Sequence, residues 1–428
     1  MKKFVALLLA LVMVLSLVAC GGEKAPAADA PQDEPLETHK SEDVVLTVWV
    51  SGAGAQVDAM KAAVEGFEKE TGYTVEFSAP GETYEELMKT KMAANDLPDV
   101  FDTHGWSATR YAEYLMPVND MSFASRIDPQ IASVITAADG NMYVLPFDVD
   151  ITGMVFNVTV CEEAGVNVDE IKTWADFEAA CEKVKAIGKT PIHMGGANNF
   201  TVGWFYDRVA PAYYLTDEND NQIEQLRSGK FDEARWIEIS TMLDSWVTKG
   251  YLNADCVSCE YTADVAALAS NEAAFLFYGN IAVTLGLGIN PEAQLGMMPL
   301  PAKTENDAPS LIAGENVALG VWKDSEYKAE AIELLEYLAR PEVAKTIAEA
   351  TGNKSGLTDV ELDLGPIQAY LDKYADVETF PYFDRDYLPS GLWDVLCATG
   401  QEVLAQKPGA IENSAAQVKA AYDEKFAG

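Results

Sequence analysis

The run VVLTVWV at residues 44–50 begins the alternation of elements that decides the fold. It is a nearly continuous run of β-branched and aromatic residues, which is typical of a strand covered on both faces. A helical pattern follows and ends at Gly72, and its apolar residues fall on one face: Val57, Met60, Val64 and Phe67. Residues 74–77 predict a second strand, 82–94 a second helix and 100–101 a third strand. Strands that alternate with helices in this way predict an α/β fold with a mainly parallel sheet.

Further elements are predicted along the rest of the chain. Residues 151–157 have the composition of a strand, and 311–321 read as a strand interrupted at 314–316. Thr173, with an acid three residues later, predicts a capped helix start. Residues 231–248 and 327–338 predict amphipathic helices, and core packing is the leading explanation for the tryptophans of the first, Trp236 and Trp246.

The N-terminus has the pattern of an export signal. Lys2 and Lys3 precede an apolar run at 4–18 that is too short to span a bilayer comfortably. The run ends in Leu-Val-Ala-Cys-Gly-Gly, which resembles a bacterial lipobox with Cys20 as the lipidated first residue of the mature protein. A signal peptide at 1–19 and a flexible tether from Cys20 to residue 43 are therefore predicted, and a plain cleavable signal is the alternative.

Composition excludes some classes of partner. The chain has 428 residues, 49% of them hydrophobic, which favours two folded domains over a disordered chain. It carries 68 Asp and Glu against 30 Lys and Arg, a formal net charge of −38. A field of this sign repels phosphate backbones, so a nucleic-acid partner is not expected.

The cysteines predict neither a disulfide scaffold nor a metal centre. Five remain after Cys20, and an odd number cannot all pair within the chain. Cys256 and Cys259 have CxxC spacing, which leaves a local disulfide or two free thiols as the main alternatives. Because no second CxxC is present and the chain has only 3 histidines, neither a zinc site nor any cofactor is predicted.

Several motifs in order resemble those of a known family. They are the signal and lipobox, Leu-Thr-Val-Trp at 46–49, Phe-Glu-Lys-Glu-Thr-Gly at 67–72, Leu-Pro-Asp-Val at 97–100, Leu-Pro-Phe at 145–147, Thr-Trp-Ala-Asp-Phe at 173–177, and Trp393. The chain resembles the extracellular solute-binding proteins of ABC sugar importers, the relatives of maltose-binding protein. The resemblance implies capture of a mono- or oligosaccharide without catalysis, delivery to a membrane permease, and a monomer lipid-anchored to the outer face of the bacterial cytoplasmic membrane.

The resemblance also implies the domain organisation. It predicts a two-lobed type II periplasmic-binding-protein fold with a hinge between the lobes. The chain is expected to cross between lobes near Asp148, near Ala313 and at 355–370. The first lobe would comprise 44–147 and 316–360, and the second 148–315 and 361–428.

A sugar site needs two kinds of group. Carboxylates, amides and Arg pair with hydroxyls, whereas aromatic rings lie against the C–H face of a pyranose. Six clusters combine them: Trp49 and Ser51; Glu82 and Thr83; Asp102, Thr103 and Trp106; Asp148 and Asp150; Asn198, Asn199, Phe200 and Trp204; and Tyr382, Arg385 and Trp393. Glu315 and Asn316 are added from their place at the second crossing. Many relatives carry Trp after the Gly of Phe-Tyr-Gly-Asn at 277–280, so either Tyr278 replaces that ring or Asn280 hydrogen-bonds instead.

Two other functions remain open at the level of sequence. A glycan-acting enzyme would need two carboxylates flanking the scissile bond, and the many acids of this chain cannot exclude such a pair. The same fold could also bind a polyamine, a peptide or a metal ion. The absence of a nucleophile elbow, a P-loop and an HExxH motif favours binding over catalysis.

Overall fold

The structure is a computed structural model that describes residues 36–52, 54–103, 111–137, 139–389 and 391–426. The predicted signal peptide, Cys20, most of the tether and Trp106 lie outside these residues. Within the described ranges, no helix has the length and apolar character needed to cross a membrane.

The strands of the described part form three sheets. Their bounds are β1 Val45–Trp49, β2 Thr74–Ser78, β3 Val100–Asp102, β4 Leu145–Pro146, β5 Asp148–Thr152, β6 Met154–Asn157, β7 Thr190–Ile192, β8 Ala273–Leu276, β9 Leu295–Met298, β10 Leu311–Gly314, β11 Ala318–Val321, β12 Lys354–Ser355 and β13 Thr379–Pro381.

The α-helices surround these sheets. Their bounds are α1 Ala55–Thr71, α2 Tyr84–Ala94, α3 Pro129–Ile135, α4 Val158–Glu163, α5 Trp174–Ala186, α6 Phe200–Tyr214, α7 Ile223–Arg227, α8 Glu233–Lys249, α9 Tyr261–Ala269, α10 Ile281–Ile289, α11 Lys328–Leu338, α12 Pro341–Thr351, α13 Pro366–Lys373, α14 Phe383–Asp386, α15 Leu392–Leu404 and α16 Ala410–Phe426.

The first sheet has the order β2-β1-β3-β11-β4 and contains the alternation predicted from residues 44–101. Strand β1 pairs in parallel with both β2 and β3, while β11 is antiparallel to β3. Thr47 fixes the neighbouring turn, because its backbone N–H and hydroxyl donate to the Asp99 carboxylate at 2.8 and 2.7 Å. The strand–helix prediction for this stretch is confirmed.

The second sheet, β12-β5-β10-β13, joins chain segments that are far apart in sequence. Strand β5 follows β4 of the first sheet and precedes β6 of the third sheet, β7-β8-β6-β9. Likewise, β10 belongs to the second sheet and β11 to the first. The chain thus passes from one sheet to the next within a few residues at both places.

The strand character predicted for 151–157 is confirmed, but the run is divided at Gly153, where the pairing changes. A Cβ on Gly153 would lie 2.0 Å from the carbonyl oxygen of Met298, so only glycine permits this close approach. At this break the chain passes from β5 of the second sheet to β6 of the third sheet. Similarly, the interrupted run at 311–321 is two strands in different sheets.

The third sheet is covered on both faces, as its alternating side chains show. Met154 and Phe156 belong to one apolar cluster, whereas Val155 belongs to the other. Trp236 and Trp246 are fully buried in the cluster that contains Phe156, so their predicted core role is confirmed. Among the described residues the cysteines are free thiols and buried, including Cys256 and Cys259.

The predicted capped start of α5 is present. The Asp176 backbone N–H donates to the Thr173 hydroxyl at 3.2 Å, and the Thr173 backbone N–H donates to the Asp176 carboxylate at 2.9 Å. This reciprocal pair satisfies donors that a helix start would otherwise leave without partners.

Candidate functional site

A cavity of about 210 Å³ lies where the chain passes between sheets. Its walls come from β5, α6, the start of α10, the segment after β10, the end of α12 and the region of α14. The lining residues are Asp150, Trp204, Arg208, Gly279, Ile281, Asn316, Thr351, Asn353, Tyr382 and Arg385. Four of these belong to the clusters predicted from the sequence: Asp150, Trp204, Tyr382 and Arg385. Asn316 was expected there from its position alone.

A larger cavity of about 450 Å³ contains Asp128 and Lys354 in its wall. Its lining has no aromatic ring, and the Lys354 ammonium and Asp128 carboxylate already pair at 2.7 Å. The smaller cavity combines rings with polar groups, which is the composition expected of a specific ligand site. It is therefore the candidate site.

One wall of the cavity is a hydrogen-bonded group around Asp150. Its carboxylate accepts from the Tyr382 hydroxyl at 2.5 Å and from the Thr152 hydroxyl at 3.0 Å. Gly279 makes room for this group, since a Cβ there would lie 2.8 Å from the Thr152 hydroxyl oxygen. Asp150 stays half-buried, so its carboxylate is held in one orientation while part of it remains accessible.

Arg385 extends this wall. Its guanidinium carbon lies 4.3 Å from the centre of the Tyr382 ring, and one of its nitrogens donates to the backbone oxygen of Glu315 at 3.0 Å. A planar guanidinium fixed on a ring keeps its remaining donors in a defined plane. Gly314 permits this stacking because a Cβ there would lie 2.7 Å from the Tyr382 ring.

Another part of the lining is an aromatic group centred on Trp204 of α6. The Trp204 ring centre lies 5.0 Å from that of Phe200 and 4.8 Å from that of Tyr278, both edge-to-face. Arg208, one turn further along the helix, places its guanidinium carbon 5.5 Å from the Trp204 ring centre. These contacts leave Trp204 half-buried, with part of its surface lining the cavity.

Buried acids surround the cavity. Burial raises the pKa of Glu315 to about 7, although the positive charge of Arg385 partly opposes this rise. Burial also raises the pKa of Asp148 to about 6, although the hydrogen bonds that its carboxylate accepts partly oppose the rise. Burial and the nearby Asp384 carboxylate raise the pKa of Asp207 to about 8. Such concentrations of displaced pKa values are typical of functional sites.

Some buried polar atoms around the cavity have no hydrogen-bond partner among the described residues. They are Nε of Arg208, Oδ1 of Asn280 and Oε1 of Glu315. Buried polar atoms are nearly always hydrogen-bonded, and each exception calls for an explanation. Hydrogen-bonding groups supplied by a ligand or by water would provide the missing partners.

Several predicted site residues have partners inside the protein. Asp148 is fully buried and accepts from the backbone N–H groups of Asn316 and Val317 at 2.9 Å and from the Asn353 amide at 2.9 Å. Its observed role is to join β5 to two other segments at the crossing. A direct contact between Asp148 and a ligand stays a prediction.

The predicted residues at the ends of β1 and β3 are also engaged. Ser51 donates its hydroxyl to the Asp102 carboxylate at 2.5 Å, and both side chains are buried, as is Thr103. Trp49 is half-buried, and the Lys91 ammonium lies 5.0 Å from its ring centre. None of these four lines the 210 Å³ cavity, so their contact with ligand stays a prediction.

The remaining predicted residues differ in accessibility. Thr83 is exposed and donates to the Pro80 carbonyl at 3.1 Å, whereas the side chain of Glu82 lies outside the described atoms. Asn198 is half-buried and accepts from the Tyr261 N–H at 3.1 Å, and Asn199 is exposed at the start of α6.

Asn280, which stands where many relatives carry Trp, is buried, and so is Tyr278 on the other side of Gly279. Tyr278 is 3% exposed and donates its hydroxyl to Asp264, so its ring supports Trp204. The Asn280 amide donates to the Ile151 carbonyl at 2.8 Å. Trp393 is half-buried, and a Cβ on Gly203 would come within 2.8 Å of its ring, which shows how closely α15 packs on α6.

Sequence reasoning did not identify some residues of the cavity. Arg208 follows Trp204 by four residues in an apolar helix, and this helical spacing was a signal that could have found it. Gly279 belongs to the Phe-Tyr-Gly-Asn motif that the sequence analysis singled out, although its own place in the lining was not predicted. Thr351, Asn353 and Ile281 lack such a signal, because only the tertiary fold brings them to the cavity.

This geometry defines the class of protein. A cleft at the crossing of the chain that combines fixed polar groups with aromatic rings is the arrangement of a two-lobed solute-binding protein. The chain belongs to the bacterial extracellular solute-binding protein family, whose model matches residues 53–345. It is accordingly an exported solute-binding protein and not an enzyme.

Individual relatives agree with this membership. The chain is 34% identical over 412 residues to the melibiose/raffinose/stachyose-binding protein MelE of Bacillus subtilis, which covers 95% of this chain and 92% of the relative. A Bacillus subtilis binding protein crystallised in an open conformation is 32% identical, with a TM-score of 0.84 over 89% of this chain and 98% of the other.

A Bacillus licheniformis sugar transporter solved in complex with stachyose is also 32% identical. Its TM-score is 0.78, over 89% of this chain and 100% of the other. Together with the three sheets, these likenesses confirm the predicted α/β, two-lobed fold.

Proposed function

We propose that this protein is the substrate-binding lipoprotein of an ABC importer and that it captures an oligosaccharide in the cleft around Asp150 and Trp204. It would hold the sugar between its lobes and deliver it to the membrane permease. The family membership supports binding and export; the sugar, the permease and the anchor are our proposal.

The observation that carries the proposal is the prearranged group Asp150, Tyr382 and Arg385. A carboxylate acceptor and a guanidinium donor are both fixed by contacts to one tyrosine, at 2.5 and 4.3 Å. Adjacent sugar hydroxyls need an acceptor and a donor side by side, and groups held in place lose little entropy on binding.

The rings on α6 supply the complementary surface. Trp204, supported by Phe200 and Tyr278, would stack on the C–H face of a pyranose. A ring contact of this kind contributes roughly 0.5–1.5 kcal/mol. Because the 34% identical relative is named for melibiose, raffinose and stachyose, we propose a galactose-containing oligosaccharide of this kind as the ligand.

Capture and delivery would use the two lobes. We propose 44–147 with 316–360 as the first lobe and 148–315 with 361–428 as the second. The second sheet, which joins β5, β10, β12 and β13, would act as the hinge region. Lipid attachment at Cys20 would keep this monomer at the outer face of the cytoplasmic membrane, next to the permease.

A glycan panel tests the ligand class. Thermal-shift and calorimetric titrations with melibiose, raffinose, stachyose and maltotriose are expected to give micromolar or tighter binding for at least one galactose-containing sugar. Binding of polyamines, peptides or metal ions without any sugar response would instead support the alternative solute classes.

A pair of variants tests the location. Trp204→Ala is expected to weaken binding of the tightest sugar by roughly 2- to 12-fold, from the energy of one ring contact. Trp322→Ala is the matched control, because Trp322 is also half-buried but does not line the cavity. Equal losses in both variants would contradict the proposed site.

The anchor is tested separately. Metabolic labelling with a radioactive fatty acid is expected to mark the protein, and Cys20→Ser is expected to abolish the label. Persistent labelling of the variant, or none in the native protein, would contradict lipidation at Cys20.

A further inference from the structure

A second set of chemically active side chains lies outside the cavity lining. One potential ligand atom each from His193, Asp255 and Cys259 lies within 4.8 Å of the other two. His193 follows β7, and the other two residues belong to the loop between α8 and α9. None of the three belongs to the cavity of the proposed sugar site.

The backbone holds the two segments firmly together. The N–H of Gly196 donates to the Cys256 carbonyl at 2.7 Å, and the N–H of Ala197 donates to the Cys259 carbonyl at 3.0 Å. The Met194 N–H also donates to the Asn253 side chain at 2.8 Å. The three side chains are therefore brought together by a fixed scaffold.

The loop places its two ligands on one turn. The N–H of Cys259 donates to the carbonyl of Asp255 at 2.9 Å, which closes a turn with the carboxylate and thiol four residues apart. The Asn253 amide donates to the Asp255 carboxylate at 2.9 Å. The Cys259 sulfur donates a weak hydrogen bond to the Glu260 carbonyl at 3.5 Å.

His193 is oriented by a buried carboxylate. Its Nδ1 lies 2.6 Å from Asp264, whose side chain has no solvent exposure. Asp264 itself accepts from the Gly195 N–H at 2.8 Å and from the Tyr278 hydroxyl. A carboxylate that engages Nδ1 leaves Nε2 as the nitrogen for a metal, and this arrangement is the usual support of a metal-binding histidine.

We propose that His193, Asp255 and Cys259 form a binding site for one divalent transition-metal ion of the Zn²⁺ class, with water as the fourth ligand. Imidazole, thiolate and carboxylate together favour Zn²⁺ or Co²⁺ over Mg²⁺ or Ca²⁺, which prefer oxygen ligands only. Asp255 is exposed, so solvent can reach the fourth position.

The geometry requires a small contraction on binding. Ligand atoms of a tetrahedral Zn²⁺ site lie about 3.3–3.8 Å apart, as its bond lengths of about 2.0–2.3 Å dictate. The three atoms here lie within 4.8 Å. Rotation of the exposed Asp255 side chain and small adjustments of the His193 and Cys259 side chains would bring the three atoms closer while the backbone contacts stay in place.

The test titrates the purified chain with Co²⁺ and with Zn²⁺. Co²⁺ is expected to bind at one equivalent, with visible absorption of a tetrahedral site and a thiolate charge-transfer band, and Zn²⁺ is expected to displace it and raise the melting temperature. Cys259→Ser is expected to lose the charge-transfer band, and Asp255→Asn to weaken Zn²⁺ binding at least about tenfold. Cys256→Ser is the matched control and is expected to retain both the charge-transfer band and the affinity for Zn²⁺.

Three results would overturn the site: no Co²⁺ or Zn²⁺ binding by the native chain, metal binding unchanged in both Cys259→Ser and Asp255→Asn, or loss of binding in Cys256→Ser alone. Because Asp255 is exposed, its variant is expected to fold even where the cysteine variant does not. The sugar titrations are independent, so the two proposals can fail separately.

Discussion

The buried carboxyl group of Glu315 gives a prediction whose size follows from the structure. Glu315 is 1% exposed, and burial raises its pKa from 4.5 to about 7 despite the nearby Arg385. The folded state therefore holds this proton more tightly than the unfolded state. The stability that the protonated group contributes is complete below pH 4.5 and is lost as the pH rises towards 7.

The magnitude follows from the two pKa values. A tenfold change in proton affinity corresponds to about 1.4 kcal/mol, so the difference between 4.5 and about 7 amounts to about 3 kcal/mol above pH 7. Glu315→Gln replaces the acid with a neutral group of the same shape. The variant is expected to match the native protein at pH 4.5 and to exceed its free energy of unfolding by about 3 kcal/mol at pH 8.

The assay is urea unfolding of both proteins at pH steps from 4.5 to 8. Asp207 also has a raised pKa, but Asp207 is present in both proteins and its contribution largely cancels in the difference. The Asp148 charge is one cause of the raised pKa of Glu315, so the difference includes the interaction between these two carboxyl groups. Glu305→Gln, at an exposed position, is the matched control and is expected to give no trend. A difference for Glu315→Gln that does not change with pH, or a variant less stable than native at pH 8, would refute the reasoning.

Three further substitutions separate binding from stability. Tyr382→Phe removes the hydroxyl donated to Asp150 at 2.5 Å, and calorimetry is expected to show a sugar affinity about fivefold lower, equivalent to about 1 kcal/mol; an unchanged affinity would contradict the role of this wall. Trp393→Ala removes a half-buried ring packed on Gly203. Urea unfolding is expected to show a free energy of unfolding lower by about 2–3 kcal/mol, which is less than the cost of removing a fully buried ring. An unchanged free energy of unfolding would show that the contact is dispensable. Thr173→Ala removes the hydroxyl that accepts from the Asp176 N–H at the start of α5. It is expected to reduce the free energy of unfolding by about 1 kcal/mol and to lower the melting temperature, with sugar affinity unchanged. A changed sugar affinity would count against a purely structural role.

Local patterns predicted the first sheet well, and the reason is physical. The strands and helices between residues 44 and 101 are close together in the sequence. The spacing of their apolar residues is clearly periodic, and it matches the faces that these elements bury. The strand break at Gly153 could not be predicted, because it depends on the carbonyl of Met298, which approaches only in the folded chain.

The candidate site was predicted only in part. Asp150, Trp204, Tyr382 and Arg385 stood out because acids, Arg and rings cluster locally in the sequence. Their assembly joins β5 to a segment more than 200 residues later in the chain. A contact between such distant segments leaves no periodic pattern in the sequence from which it could be predicted. For the same reason the sequence could not distinguish Asp150, which lines the cavity, from Asp148, which is buried at the crossing.

The most direct test of the central claim is a crystal structure of the protein grown with raffinose. The sugar is expected in the cleft, with hydroxyls within hydrogen-bonding distance of Asp150 and Arg385 and a pyranose ring stacked on Trp204. A sugar bound elsewhere on the protein, with this cleft occupied by solvent alone, would contradict the central claim.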